Sequence, residues 1–240
     1  MRQHLVFLQM SSDLRLKCQI GEHRLVHAPR FGALAICPAG IDSSVESDTD
    51  MDTLVLAIEP SRFTLAAAEA DAPQAQLNER LSGYDPELFA IAKLLMAETK
   101  AGYPNGPLFW SEISDEFMSH LIDGHVSLPT RLSRGAIGPS VLRQMRDYIA
   151  ANLAEPIEVA ALAELAGRSP FHFTRVFARS VGMTPHRYVV HLRLQAAVAR
   201  IREGQSRLAD IAAETGFSDQ SHLSRWIRRV YGVAPSDIGF

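Results

Sequence analysis

The chain carries one pattern twice near its carboxyl end, as LAELAGRSPFHFTRVF at residues 162–177 and as DIAAETGFSDQSHLSR at residues 210–225. In the second part of each copy, matching residues lie 50 positions apart, as Thr174 and Ser224 do. Each copy is typical of a short apolar helix, a turn that contains glycine, and a second helix that begins near Ser or Asp. Glycine permits the tight turn, so the repeat predicts two helix-turn-helix units.

The second helix of each copy divides into an apolar face and a more polar face. The apolar face, predicted to point inward, consists of Phe173, Val176 and Phe177 in the first copy and Leu223, Ile227 and Val230 in the second. The remaining side chains are Phe171, Thr174, Arg175 and Arg179 in the first copy and Gln220, Ser221, Ser224, Arg225 and Arg228 in the second. Arg and Gln pair well with base edges in the major groove, and Ser and Thr bond phosphates or bases. A helical bundle would also expose such residues, but the repeat favours DNA binding.

A longer helical stretch, from Pro185 to Glu203, joins the two copies. At ~1.5 Å per residue it would span about 28 Å, compared with ~34 Å for one turn of DNA. A helix of this length suits two recognition helices that enter successive major grooves on one face of the duplex. The sequence therefore predicts a single polypeptide that reads two adjacent sites.

Charge divides the chain into two parts. Residues 136–240 contain 13 Arg and no Lys against 9 acidic residues, whereas residues 1–135 contain 11 basic and 18 acidic residues. An acidic front and an arginine-only basic back are typical of two domains with different tasks, although chance clustering of solvated charges would look the same. The net charge of −3 for the whole chain does not bear on nucleic-acid binding.

The front part of the chain is typical of short strands. Residues 14–20 alternate apolar and polar side chains, and residues 32–37 and 53–58 are apolar runs closed by turns. Several strands at this spacing indicate a small sandwich or barrel. The acidic residues between Glu46 and Asp52 are expected in a solvated loop.

Helical patterns follow these strands. Apolar stripes predict one helix at residues 86–96, with Asp85 as its N-cap, and a second at residues 108–125, near whose end His120 and His125 lie. Residues 127–139 are polar and contain Pro and Gly, which predicts a linker. After Ser140 the chain is predicted to be entirely helical, in about seven helices.

Residues 141–238 resemble the DNA-binding domain of the AraC/XylS family of bacterial transcription regulators, through the two quoted segments and the closing GVAP at residues 232–235. By this resemblance the base-facing positions are Phe171, Thr174 and Arg175 in the first recognition helix and Gln220, Ser221, Ser224 and Arg225 in the second. The resemblance implies activation through contact with RNA polymerase, while repression stays open. The chain departs from the family at Ile227, where Phe is usual, and at residues 236–240, where an ending with Tyr and Arg is usual.

The stretch GALAICPAG at residues 32–40 resembles a strand and turn of the same family's sensor domain. In the family this domain is a cupin-like β-barrel followed by helices, which binds a small-molecule effector or forms a homodimer. Here the barrel is short by several strands. The predicted fold class is α+β, with a small cupin-like barrel and two helices in residues 1–126, a linker at 127–139, and an all-α tandem helix-turn-helix domain at 140–240.

Other residue clusters indicate no further chemistry. His23 and His27 have the spacing of metal ligands on a helix, but their neighbours are typical of a strand and no carboxylate–histidine set accompanies them. Cys18 and Cys37 do not form a CxxC pair, which favours a reducing cytoplasm. There is no targeting pattern, no apolar run long enough for a membrane span, and no phosphate-binding glycine loop.

The sequence therefore predicts a cytoplasmic regulator of transcription that binds double-stranded DNA, without catalytic residues, cofactor or metal. One alternative is a cupin-type metalloenzyme with a helical appendage, which stoichiometric iron or zinc in the purified protein would favour. A second alternative is a protein-interaction module whose helices never touch DNA. Binding to promoter fragments that weakens with salt would exclude that module, because phosphate contacts release counterions.

Overall fold

The computed structural model describes residues 2–130 and 135–238. These residues form two compact units, one of residues 2–104 with 112–130 and the other of residues 105–111 with 135–238. The first unit carries the strands and the second consists of helices, so the predicted α+β class is confirmed.

The predicted division at residues 126 and 140 stays a prediction. Residues 131–134 of the predicted linker lie outside the described residues.

The strands of the first unit pair into two larger sheets and one short ladder. They are β1 His4–Gln9, β2 Leu16–Ile20, β3 His23–His27, β4 Ala33–Cys37, β5 Ser43–Ser47, β6 Thr53–Ile58, β7 Gln76–Leu77, β8 Arg80–Tyr84 and β9 Val126–Ser127. One sheet has the order β6-β1-β4-β8 and the other the order β3-β2-β5, while β7 pairs with β9. All pairings are antiparallel.

These strands correct the predicted barrel in one respect. No ladder among the described residues joins the two larger sheets, because β6, β8, β3 and β5 each pair on one side only. The predicted cupin-like barrel is therefore an open pair of sheets. The prediction of a solvated acidic loop is also wrong at Glu46, which lies in β5 and pairs with Lys17 of β2.

Three helices complete the strand-bearing part of the chain: α1 Pro60–Glu69, α2 Pro86–Lys100 and α3 Gly106–His125. Helix α1 contacts β1 through the rings of Phe63 and His4, whose centroids lie 5.0 Å apart. At the start of α2, Phe89 packs edge-on against Phe31, with centroids 5.4 Å apart. Helices α2 and α3 confirm the predicted helical patterns, whereas the sequence analysis missed α1.

Asp85 joins α2 to the end of α3. Its Oδ1 accepts a hydrogen bond of 2.9 Å from the Leu88 backbone, which confirms the predicted N-cap. The Nε2 atoms of His120 and His125 donate to Asp85 Oδ2 at 3.0 and 2.8 Å. Burial by itself would raise the pKa of Asp85, but the hydrogen bonds from Leu88, His125 and His120 outweigh it and lower the pKa below its usual range.

We predict that Asp85→Asn lowers the free energy of unfolding near neutral pH by about 1–3 kcal/mol, because an amide cannot replace an ionised acceptor of both imidazoles. The pKa of Asp85 is lower in the folded state. Its carboxylate therefore stabilises the fold above the unfolded pKa of about 3.9, and this contribution is lost as the pH falls through the folded pKa. The difference between wild type and variant, measured by urea unfolding, should shrink as the pH falls from about 5 to about 2.

Asp123→Asn is the matched control, because it neutralises an exposed carboxylate on α3, between His120 and His125. It should change the free energy of unfolding by less than about 0.5 kcal/mol. A difference between wild type and Asp85→Asn that stays constant over this pH range would contradict the ionic role of Asp85.

Besides residues 106–111 of α3, the second unit is built from six α-helices and a 3-10 turn among its described residues. They are α4 Pro139–Ala151, α5 Val159–Leu165, α6 Pro170–Val181, α7 Pro185–Glu203, α8 Leu208–Glu214, α9 Gln220–Tyr231 and the 3-10 turn Pro235–Asp237. Helix α7 has the bounds that the sequence predicts. Residues 239 and 240 of the unusual ending lie outside the described residues.

One predicted inward residue of α9 points outward. Val230 is 50% exposed, whereas Leu223 and Ile227 are fully buried. Tyr231 packs against the core instead, because a spacing of four residues from Ile227 continues the inward stripe at this end of the helix. None of the described helices is both long and apolar enough to cross a membrane.

Candidate nucleic-acid interface

The two helix-turn-helix units are α5–α6 and α8–α9. Helices α5 and α8 are offset by 49 residues and α6 and α9 by 50, so the second turn is one residue longer than the first. In both turns a glycine follows the first helix with a positive φ, 61° at Gly167 and 75° at Gly216. The glycine turns predicted from the repeat are therefore confirmed.

Aromatic packing fixes the orientation of α6 in the first helix-turn-helix unit. Phe173, Val176 and Phe177 are buried, as the sequence predicts. The Phe173 and Phe177 rings lie 5.3 Å apart, and Phe177 lies 5.4 Å from the Tyr188 ring of α7. Because this face of α6 is held by the core, the opposite face is left to solvent or to a partner.

A separate apolar cluster orients α9 in the second helix-turn-helix unit. Leu223 and Ile227 of α9 contact the buried side chains of Ile211 and Ala212 on α8 and of Phe217 in the turn. The carboxyl-terminal half of α7 completes the cluster. Each recognition helix is thus packed against its own partner helix and against α7.

Helix α7 packs against the two helix-turn-helix units with opposite faces. The buried residues of its first half are Pro185, Tyr188 and Val189, and those of its second half are Leu194, Ala197 and Val198. With 3.6 residues per turn, these two sets point roughly half a turn apart around the helix axis. The helix therefore acts as a rigid connector with one unit packed on each end.

The outward face of α6 carries the three residues predicted for base contact. Phe171 and Arg175 are exposed, and Phe171 retains 78% of its accessible surface. Thr174 is half-buried, and its hydroxyl donates to the Pro170 carbonyl oxygen at 2.9 Å. Its proton is thus used within the helix, which leaves Arg175 as the main hydrogen-bond donor among the three.

The outward face of α9 is more polar. Gln220, Ser221 and Arg225 are exposed, and Ser224 is half-buried with its hydroxyl donating to the Gln220 carbonyl oxygen at 2.7 Å. Among the described residues, neither Arg175 nor Arg225 forms an ion pair within 4 Å. The two arginines occupy equivalent positions of the repeat, so both guanidinium groups are available to an acceptor. Contact of these seven residues with DNA stays a prediction.

A chain of hydrogen bonds, which the sequence analysis missed, organises the first turns of α9. The Trp226 indole donates to His222 Nε2 at 3.0 Å, so the proton of a neutral His222 lies on Nδ1, 3.1 Å from Ser218 Oγ. Ser218 in turn donates to Asp219 Oδ2 at 3.2 Å. Asp219 Oδ1 caps the helix by accepting from the His222 backbone at 2.8 Å, and this bond lowers the pKa of Asp219. The spacing of four residues between His222 and Trp226 was the available sequence signal.

Arg193 of α7 has a structural role that no sequence pattern indicated. Its Nη1 donates to the Gly216 carbonyl oxygen at 3.1 Å, and its Nη2 donates to the Glu155 carbonyl oxygen at 2.6 Å. Burial lowers the pKa of this guanidinium. Arg193 therefore connects the turn between α8 and α9 to the loop before α5.

A cavity of about 340 Å³ lies between the two sheets of the strand-bearing unit. Its apolar lining includes Leu5, Phe7, Leu16, Ile20, Leu34, Val45, Met51, Val55 and Leu81, and its polar lining includes Gln9, Cys18, His27 and Thr53. None of the lining residues is Asp, Glu, Lys or Arg.

Cys18 and His27 face each other in the wall of this cavity, with Sγ 3.7 Å from Nε2. Burial raises the pKa of Cys18 and lowers that of His27, so both are uncharged near neutral pH. His23 pairs with Glu79 at 3.4 Å instead, and both histidines lie on β3, as the sequence indicates. The described residues contain no group of three or more potential metal ligands.

Comparisons with known proteins place the helical repeat in a family. A family described as "Helix-turn-helix domain" matches residues 162–238. The chain is 38% identical over 94 residues to the probable transcriptional regulator LumQ of Photobacterium leiognathi. This match covers 39% of this chain and 38% of LumQ. It is 25% identical over 243 residues to the HTH-type transcriptional regulator GbdR of Pseudomonas aeruginosa, which covers 98% of this chain and 61% of GbdR.

A crystal structure of a probable AraC family transcriptional regulator from Rhodopseudomonas palustris is also similar. It shares 32% sequence identity, covers 41% of this chain and 94% of that chain, and has a TM-score of 0.37. The chain spans less than two thirds of the length of LumQ and of GbdR. Residues 162–238 of this chain therefore match a helix-turn-helix domain family.

Proposed function

We propose that this protein is a sequence-specific regulator of transcription that binds double-stranded DNA through α6 and α9. One observation carries the proposal: the two recognition helices are each held by a buried apolar face and present Arg175 and Arg225, at equivalent positions, without an ion pair among the described residues. Guanidinium groups on a recognition helix suit bidentate pairing with guanine. The names of LumQ and GbdR as transcriptional regulators support the same function.

The DNA-binding experiment begins with selection of genomic fragments by the purified full chain. The affinity for a selected fragment is then measured at several salt concentrations by fluorescence anisotropy. We expect the logarithm of the association constant to fall linearly with the logarithm of salt concentration, because each phosphate contact releases counterions. A chain that enriches no sequence, or whose binding is independent of salt, would contradict the proposal.

The cavity between the sheets supports a role in effector binding. We propose that it takes an uncharged, mainly apolar small molecule, because no Asp, Glu, Lys or Arg lines it and its Cys18–His27 pair is uncharged. Decanol is a suitable probe, with decanoate as the charged control. Decanol should slow the alkylation of Cys18, while Cys37, which is fully buried, reports any general opening of the fold. Equal protection by decanoate would contradict the uncharged site.

The wider assembly is part of the same proposal. We propose that the protein acts in the cytoplasm, as a homodimer, and activates transcription through contact with RNA polymerase. Transcription in vitro from a selected fragment should rise when the protein is added to purified polymerase. Sedimentation of the full chain on that fragment gives the number of copies bound. Reduced transcription, or one copy per site, would contradict activation or dimerisation respectively.

A further inference from the structure

Phe171 is an unusual residue for the outward face of a recognition helix. It is the second residue of α6, and 78% of its surface is exposed, the largest fraction of any large apolar residue in the described chain. The equivalent position of α9 holds Ser221, a residue that can form hydrogen bonds. The two recognition helices therefore differ in chemistry at this position of the repeat.

The neighbours of Phe171 limit what this face of α6 can recognise. Thr174 donates its hydroxyl proton to the Pro170 carbonyl oxygen, and Arg175 supplies donors one turn further along the helix. The phenyl ring itself can neither donate nor accept a conventional hydrogen bond. A contact between this ring and a base edge must therefore be apolar.

Among the groups that the major groove presents, the C5 methyl of thymine is the apolar one. We propose that Phe171 contacts this methyl group and makes the site read by α6 dependent on a thymine. The site read by α9 depends on hydrogen bonds from Gln220, Ser221 and Arg225 and has no such requirement. This inference rests on the proposed function, because it assumes that α6 enters the groove.

Replacement of thymine by uracil tests the contact, because uracil lacks only the C5 methyl. A selected fragment is amplified with dUTP in place of dTTP, and the affinity of the full chain for both duplexes is compared. For wild type we expect uracil to weaken binding by roughly fourfold, the equivalent of one buried methyl-sized group. Phe171→Ala should bind the thymine duplex more weakly and lose most of this discrimination.

Ser221→Ala is the matched control, because it changes the equivalent position of α9 and should keep the full discrimination. Phe171 is exposed, so its substitution leaves the core intact, which circular dichroism verifies. Single thymine-to-uracil replacements should then locate the effect in one half of the binding site. The half-site sensitive to uracil should also be the half-site weakened by Arg175→Ala.

Equal discrimination by wild type and Phe171→Ala would overturn the inference, because the uracil effect would then come from the DNA itself. If Phe171→Ala binds DNA like wild type but loses activation by purified RNA polymerase, the ring contacts a protein and the inference is also overturned. Failure of the proposed function looks different. Wild type would then show no salt-dependent binding to either duplex.

Discussion

Replacing both Arg175 and Arg225 by Ala should weaken binding to a selected DNA fragment by about 2–6 kcal/mol, or roughly 30-fold to 10⁴-fold. Each guanidinium is exposed on its own recognition helix, and a bidentate contact with guanine contributes about 1–3 kcal/mol. The two helices pack in separate clusters, so the two losses should add. Fluorescence anisotropy at constant salt measures both single variants and the double variant.

Lysine separates the charge of these residues from their geometry. Arg225→Lys keeps the phosphate attraction but loses the planar pair of donors, so it should lose base discrimination while retaining part of the affinity. Arg24→Ala on β3 is the control for a change in net charge and should leave affinity nearly unchanged. If the double variant retains wild-type affinity and base preference, Arg175 and Arg225 do not read bases.

Replacing Gly216 by Ala should be strongly destabilising, by about 2–6 kcal/mol in the helical unit. The residue has φ of 75°, a conformation that costs an L-amino acid about 1–3 kcal/mol. A Cβ atom would also overlap the Leu153 carbonyl oxygen and lie 2.6 Å from Arg193 Cζ. Because Arg193 bonds the Gly216 carbonyl, the clash would displace the turn that positions α9.

Gly167→Ala is a matched control at the equivalent turn, between α5 and α6. Its φ is 61°, but an added Cβ would meet no atom within 4 Å. This variant should therefore lose only the backbone contribution, about 1–3 kcal/mol. Urea unfolding gives the two free energies, and hydrogen exchange of the α9 amides localises the effect. Equal destabilisation by both substitutions would show that the contact with Leu153 and Arg193 is relieved without cost.

The helical unit could be predicted in detail because its information is local. The apolar spacing of the repeat and the glycine after each first helix define α6, α7 and α9 without knowledge of distant residues. The error at Val230 is of the same local kind. The inward stripe continues through Tyr231, four residues after Ile227. Apolar residues three or four positions apart can both continue such a stripe, so the sequence alone does not decide between Val230 and Tyr231 at the end of the helix.

The strand-bearing unit was less predictable because its contacts are distant in sequence. Strand β1 pairs with both β4 and β6, and no turn signal encodes that choice. Helix α1 was missed because the apolar run at residues 53–58 was expected to be closed by a turn, whereas Pro60 is the first residue of a helix. The bonds from His120 and His125 to Asp85 cross at least 35 residues, so sequence spacing could not reveal them.

The candidate interface could be predicted less fully than the helical unit but better than the strand-bearing unit. The exposed faces of α6 and α9 follow from helical periodicity, and the structure agrees for Phe171, Arg175, Gln220, Ser221 and Arg225. The hydroxyls of Thr174 and Ser224, however, donate to backbone carbonyls one turn earlier. Residue type alone could not distinguish this internal bond from a contact with DNA.

Hydroxyl-radical and methylation footprinting of the full chain on a selected fragment tests the central claim most directly. If α7 holds α6 and α9 in successive major grooves, two protected patches should lie about 10–10.5 base pairs apart on one face of the duplex. Inserting about half a turn, roughly 5 base pairs, between them should reduce binding to that of a single half-site. A single protected groove, patches on opposite faces, or binding that tolerates the insertion would contradict the account.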